Sequence, residues 1–174
     1  MMGGPTEDLK ATARAAFQAA LACLTYREGE DAALGESEFG DAHAFACAAC
    51  DSVEALEYDW KLTHEAVLDD MANRAAPQVY ADFELLSDDE ILLTAEDEDG
   101  EQRELKIDRL GERTRDDLVA AFVSLWPGDR SVLVLVPFDD SDMSAYLVVS
   151  ADQLACLRGA MGAHFDSVLR VVAV

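Results

Sequence analysis

Between Arg130 and Pro137 the chain reads Ser131-Val132-Leu133-Val134-Leu135-Val136, an almost unbroken apolar run dominated by β-branched residues. A run this short is a strand, and side chains at successive strand positions point to opposite faces of a sheet. Apolar residues at every position therefore require a central strand buried on both sides. Phe138-Asp139-Asp140-Ser141-Asp142 then turns the chain, and Ala145 to Val149 returns as the partner strand.

Helices of matching amphipathicity are present to cover such a sheet. From Thr6 to about Tyr26, Leu9, Ala13, Phe17, Leu21 and Leu24 recur at helical spacing, with Thr6 as the N-cap and Glu7 and Asp8 at the positive end of the dipole. Asp41 is placed to cap a second helix through about Val53, in which Ala42, Phe45, Ala46, Ala49 and Val53 form a stripe. Leu56, Tyr58 and Trp60 alternate with Glu57 and Asp59 as a half-buried strand, and Thr63 opens a third helix carrying Val67, Leu68, Met71 and Ala75 ahead of Pro77. Val79–Leu86, Ile91–Glu96 and Gln102–Asp108 then predict three strands, with Asp99-Gly100 as the turn between the last two. Ile91, Leu93, Ala95, Leu105 and Ile107 supply the inward face, and the outward face is charged. Thr114 caps a helix bearing Leu118, Phe122, Leu125 and Trp126, and Ser150-Ala151-Asp152-Gln153 is a capping box for another that stops at Gly162. Phe165 to Val174 is read as a last strand.

The expected fold is therefore α+β, a mostly antiparallel sheet packed against helices, with an N-terminal helical segment. Residues 1–40 form that helix and an acidic loop packed on the main domain, and residues 41–174 form the main α+β domain. From Leu62 to the last helix, the element order is similar to that of type III secretion chaperones, small acidic proteins that dimerise and hold extended segments of effector proteins. Only element order and charge carry the resemblance, and it implies a binder of a partly unfolded protein.

Charge narrows the partners. The chain has 36 acidic and 13 basic side chains, a formal net charge of −23. Nucleic-acid phosphates and anionic lipid are repelled by such a surface, because both partnerships depend on lysine and arginine. A basic protein is attracted, over a range of about 8 Å at physiological salt. The carboxylates concentrate in Glu28–Asp41 and Asp82–Asp108. The opening residues show neither a basic nor an apolar leader region, and no uncharged apolar run reaches the roughly 18 residues of a membrane span. Cys23, Cys47, Cys50 and Cys156 are too sparse for a disulfide scaffold and fit a reducing cytoplasm.

His43, Cys47 and Cys50 carry the vocabulary of a metal or thiol site, since steps of three and four place them on one helical face. A zinc site would need a fourth ligand, for which Cys23 is nearest in sequence, and a redox site would need a lowered thiol pKa in surroundings that are acidic. Small core residues explain the same pattern. Asp139, Asp140 and Asp142 fail the EF-hand spacing, with Ala145 and Ala151 at the glycine and glutamate positions, and Asp97 and Asp99 fail it with Ala95 and Lys106 at the ends. There is no G-x-S-x-G, P-loop, G-x-G-x-x-G or H-E-x-x-H motif, so no cofactor is expected. The leading expectation is a non-catalytic interaction domain for a basic or partly unfolded protein, such as an immunity protein, an inhibitor or a secretion chaperone. Its binding residues are expected at Glu36, Glu38, Asp41, Tyr58, Trp60, Glu96, Asp97, Glu98 and Asp99. The alternatives are a small enzyme built on His43, Cys47 and Cys50, and a homodimeric accessory domain.

Overall fold

The apolar run forms the strand that organises the molecule. In the computed structural model, which describes residues 5–27, 33–75, 80–139 and 142–172, β5 (Arg130–Leu135) lies between β6 (Met143–Ser150) and β7 (Leu169–Val171), and β1 (Ala55–Asp59) completes an antiparallel sheet in the order β1-β6-β5-β7. Leu133 stands opposite both Leu147 and Val171. Alternation along β5 sends Leu133 and Leu135 into one core and Val132 and Val134 into another.

The first core is closed by α1 (Pro5–Leu21), α2 (Asp41–Ala49), α5 (Ala151–Met161) and the short α6 (Phe165–Val168). Phe17, Leu21, Phe45, Leu157, Met161, Phe165 and Val168 are the larger buried side chains that these helices supply. Across the sheet, α3 (His64–Ala75) and α4 (Arg115–Ser124) share the second core with a three-stranded antiparallel sheet, β2 (Tyr80–Ser87), β3 (Glu90–Glu96) and β4 (Gln102–Ile107), in that order. The α+β fold class is as read. Thr114 with Asp117, and Ser150 with Gln153, make reciprocal capping boxes. Gly100 turns the β3–β4 hairpin at φ +80°, a left-handed conformation that favours glycine.

Several sequence expectations are corrected. Helix α1 ends at Leu21 and leaves Leu9 exposed, because its N-terminal turns project past the core that Phe17 and Leu21 fill; the Thr6 side chain lies outside the described residues. Asp41 is the first residue of α2 rather than its cap. Gly40 holds the cap position without a side-chain bond, and Asp41 pairs with Arg14 at 2.9 Å. That helix stops at Ala49, where Ser52 Oγ donates to the Ala49 carbonyl at 2.6 Å, and Val53 is exposed. Leu105 is 37% exposed because β4 is an edge strand that reaches the core only at Ile107. The expected final strand begins as α6: Phe165 and Val168, one turn apart, are both buried, and only Leu169–Val171 pair with β5. Residues 173 and 174 of that expected strand lie outside the described residues, as do Pro77 and Val79.

Two long-range ties close the structure. Cys23 and Cys156 form a disulfide across a sequence separation of 133 residues, joining the end of α1 to α5. Cysteine spacing gave no sign of this bond, which removes Cys23 from any metal site. Arg115 fans its guanidinium over the end of β1, donating to the carbonyls of Asp59 (3.1 Å) and Leu62 (2.9 Å) and, at 3.4 Å, to those of Tyr58 and Trp60. Chain ends of strands leave carbonyls unpaired, and a five-donor cation satisfies several at once.

Candidate functional site

Three groups of polar side chains qualify for chemistry or recognition, and each follows from where its elements place it. The first is the His43 segment on α2. Cys47 Sγ lies 3.6 Å from His43 Nδ1, but Ser37 Oγ is closer at 2.9 Å and competes for the same nitrogen. The imidazole sits between the rings of Phe39 and Phe138, at centroid distances of 5.0 and 5.5 Å. Both thiols are held in the neutral form. Burial, then Asp51 and Glu57, raise the Cys47 pKa; burial and the adjacent Glu57 carboxylate raise that of Cys50 further. Among the described residues, no group of three or more His, Cys, Asp or Glu side chains is placed to hold a metal. The segment thus has proximity without thiolate activation. Alkylation of Cys47 in the folded protein is accordingly expected to be slow at neutral pH and still accelerating above pH 9; a rate that levels off below pH 8, followed by mass spectrometry, contradicts this.

The second group surrounds two tyrosines of the four-stranded sheet. Tyr146 is buried in the core of α3 and α4 and donates its hydroxyl to Asp116 at 2.5 Å; Arg170 reaches Asp116 at 3.5 Å and Asp139 at 3.8 Å. Asp140 and Ser141, from the same aspartate-rich turn, lie outside the described residues. Tyr58 is 2% exposed, which removes it from the expected binding surface. Burial is the largest cause of a raised pKa at both phenols, followed by Asp70 at Tyr58 and by Asp116 at Tyr146, and burial with Glu54 pushes Tyr26 up to about 12. A phenol whose folded pKa exceeds its unfolded value of 10.0 stabilises fully below that value and loses the contribution as pH rises through the folded pKa. In a Tyr80→Phe protein, which keeps only these three phenols, alkaline unfolding should therefore begin above about pH 10 and coincide with the appearance of phenolate absorbance. Phenolate appearing at lower pH while the fold persists would contradict it.

The third group is a surface. Register aligns three cross-strand rows on the outward face of the small sheet: Tyr80, Glu96 and Gln102; Asp82, Thr94 and Glu104; Glu84, Leu92 and Lys106. Inward neighbours Ile91, Leu93 and Ala95 are buried, so this face looks to solvent. No row sets two carboxylates directly opposite, since Thr94, Leu92 and Glu96 alternate down the central strand; like charges are thus spaced across the face rather than opposed. Lys106 is its one cation, paired with Glu90 at 3.3 Å. Asp82, Glu84, Glu96 and Glu104 are exposed and have no cationic partner among the described residues. Tyr80, 69% exposed, stands beside Glu96 on the same face.

The chain matches no family model, no curated protein and no solved structure. The resemblance in element order therefore carries no family assignment, and the surface must be judged on its own geometry.

At the end of the small sheet, Asp97 accepts from the backbone N–H groups of Asp99 and Glu101 and so serves its own turn, with Glu98, Asp99 and Glu101 exposed around it. Glu36 and Glu38 are exposed as expected, but they follow Leu34, which belongs to the core on the other side of the four-stranded sheet. Among the described residues, the two acidic segments are not brought together. Trp60 is 60% exposed, with the Lys61 ammonium 5.6 Å from its ring centroid. Tyr80, Asp82, Glu84 and Glu104 share the outward face of the small sheet without being among the residues expected to bind. Their signal was alternation: each lies an even number of positions from the next along its strand, out of phase with Ile91, Leu93 and Ala95.

Proposed function

We propose that the protein is a non-catalytic interaction domain that binds a lysine- and arginine-rich protein segment on the outward face of the β2-β3-β4 sheet. One observation carries the reading: strand register converts a dispersed acidic sequence into a continuous patch, Asp82, Glu84, Glu96 and Glu104, with exposed Tyr80 at its edge. Within Asp82–Asp108 there are twelve carboxylates against Arg103 and Lys106. Complementary charge accelerates encounter and suppresses wrong partners, and an exposed aromatic supplies contact area at low entropic cost. An inhibitor or immunity protein that covers a cationic groove needs such a face, and so does a chaperone that holds an extended basic segment. The thiol-enzyme alternative is weakened by the raised pKa of Cys47 and Cys50.

Titration of the isotope-labelled protein with a lysine/arginine-rich peptide tests the reading by NMR. Amide shifts should cluster at Tyr80, Asp82, Thr94, Glu96 and Glu104 and shrink as salt is added. Shifts spread equally over α1 and α5, or insensitive to salt, would sink it.

The cytoplasmic location expected from cysteine spacing meets an opposing observation in the Cys23–Cys156 disulfide, since such bonds persist in oxidising compartments. We place the protein where that bond is kept. Among the described residues no helix is long and apolar enough to cross a membrane.

A further inference from the structure

The end of α4, the loop into β5 and one face of α5 enclose a groove of about 520 Å³ lined by Val123, Gly128, Arg130, Ala151, Leu154 and Arg158, with Ser124, Asp129, Ser131 and Ala155 completing its walls. Its volume falls within the few hundred to about 1,000 Å³ typical of small-molecule sites. Its charge runs against that of the molecule. In a chain with 36 acidic side chains, Arg130 and Arg158 form no ion pair among the described residues, although both line one groove.

Each arginine is held by a contact that leaves most of its donors unused. Arg130 Nε donates to the Pro127 carbonyl at 3.2 Å, and the Arg158 guanidinium stacks 4.5 Å above the centre of the Phe165 ring. A guanidinium carries five N–H donors in a planar fork, so two forks held in this way offer more donors than the two oxygens of one carboxylate accept. A phosphate monoester, with three terminal oxygens and a second negative charge, fits two forks better. Val123, Ala151, Leu154 and Ala155 give the groove an apolar side for the rest of such a molecule. One carboxylate, Asp129, shares the walls; two guanidinium groups outweigh it. The chain's net negative charge opposes an anion here, through a repulsion that decays over about 8 Å at physiological salt.

We infer that this groove is a binding site for a small organic phosphate, held by Arg130 and Arg158 with its apolar body against Leu154 and Ala155. The site is separate from the acidic sheet face, and its test does not depend on the basic-peptide reading.

Phenyl phosphate, inorganic phosphate and benzoate, titrated by calorimetry into the intact protein at physiological salt, distinguish the contributions. Phenyl phosphate should bind saturably and more tightly than either, with inorganic phosphate lacking the apolar contact and benzoate the second charge. Arg130→Gln and Arg158→Gln should each weaken phenyl phosphate about tenfold, the scale of one charge-assisted contact. Arg103→Gln, on the distant small sheet, should leave it unchanged. Because Arg158 also stacks on Phe165, Arg158→Lys serves beside it: the cation remains over the ring while the fork is lost, and binding should still fall. Absence of saturable binding, equal affinity for benzoate, or unchanged affinity in the Arg130→Gln/Arg158→Gln protein would overturn the assignment.

Discussion

Reduction of the Cys23–Cys156 disulfide, or its replacement by serines at both positions, is expected to remove about 4–5 kcal/mol of stability, the entropic scale for a cross-link closing more than a hundred residues. The bond spans 133 residues, so the unfolded chain gains most of its conformational freedom when it opens. For a domain whose total stability is about 5–15 kcal/mol this is a large fraction, and at about 2–4 °C per kcal/mol it corresponds to a fall of roughly 10–20 °C in melting temperature. Native packing of α1 does not hang on the bond, because Phe17, Ala20 and Leu21 are buried against the first core independently of it. The reduced protein should therefore remain folded at room temperature and melt early. Cys156 is exposed, so reductant reaches it without prior unfolding. Scanning calorimetry with and without reductant checks this, and a melting temperature that does not move contradicts it.

Leu133→Ala should cost about 3–5 kcal/mol, the range for a fully enclosed leucine whose cavity cannot collapse. Leu133 has no exposed surface and is flanked in the sheet by Leu147 on one side and Val171 on the other, while Phe17, Phe45 and Leu157 contribute to the same core. Strands fixed by hydrogen bonding on both edges cannot move in to fill the space. Leu105→Ala, at the half-open rim of β4, is the contrast: at 37% exposure it should cost less than about 1.5 kcal/mol. Denaturant unfolding of the two variants measures the difference. Equal losses would mean that β4 contributes to the core as fully as β5.

Much of the fold was legible because periodicity, caps and turns agree locally. The consecutive apolar residues of β5 announced a strand covered on both faces, and Thr114 and Ser150 announced helix starts that the capping boxes bear out. Failures came where tertiary contacts decide. Val168 and Leu169 had to be buried, but hydrophobicity alone does not say whether by helix or strand, and α6 supplies one and β7 the other. Val53 continued the spacing of α2, yet Val53 N–H bonds to the Thr25 carbonyl at 2.7 Å, a partner remote in sequence. The disulfide was illegible because Cys23 and Cys156 meet only after α1 and α5 have packed. Site reading met the same limit at Tyr58. Tyr58 was expected as a partner anchor, although its alternation with Glu57 and Asp59 in a half-buried strand already set it on the apolar side, and it lies in the core. Proximity in sequence suggested the turn carboxylates Glu96–Asp99 as the binding surface; cross-strand register, which a sequence does not print, collects Asp82, Glu84 and Glu104 beside Glu96.

Carboxylates also lie elsewhere on the molecule, so the proposed binding depends on position on the small sheet rather than on total charge. Two variants of identical net charge separate these. One carries lysine at Asp82, Glu84, Glu96 and Glu104; the other carries lysine at Glu36, Glu38, Asp51 and Asp166, all exposed on other elements. Affinity of each for the same lysine/arginine-rich peptide, measured by calorimetry at physiological salt, is the most direct test. The sheet variant should lose about a hundredfold or more, since reversed charges meet like charges at a cost of several kcal/mol, while the other changes by no more than about threefold. Equal losses in the two would show that the peptide responds to net charge alone.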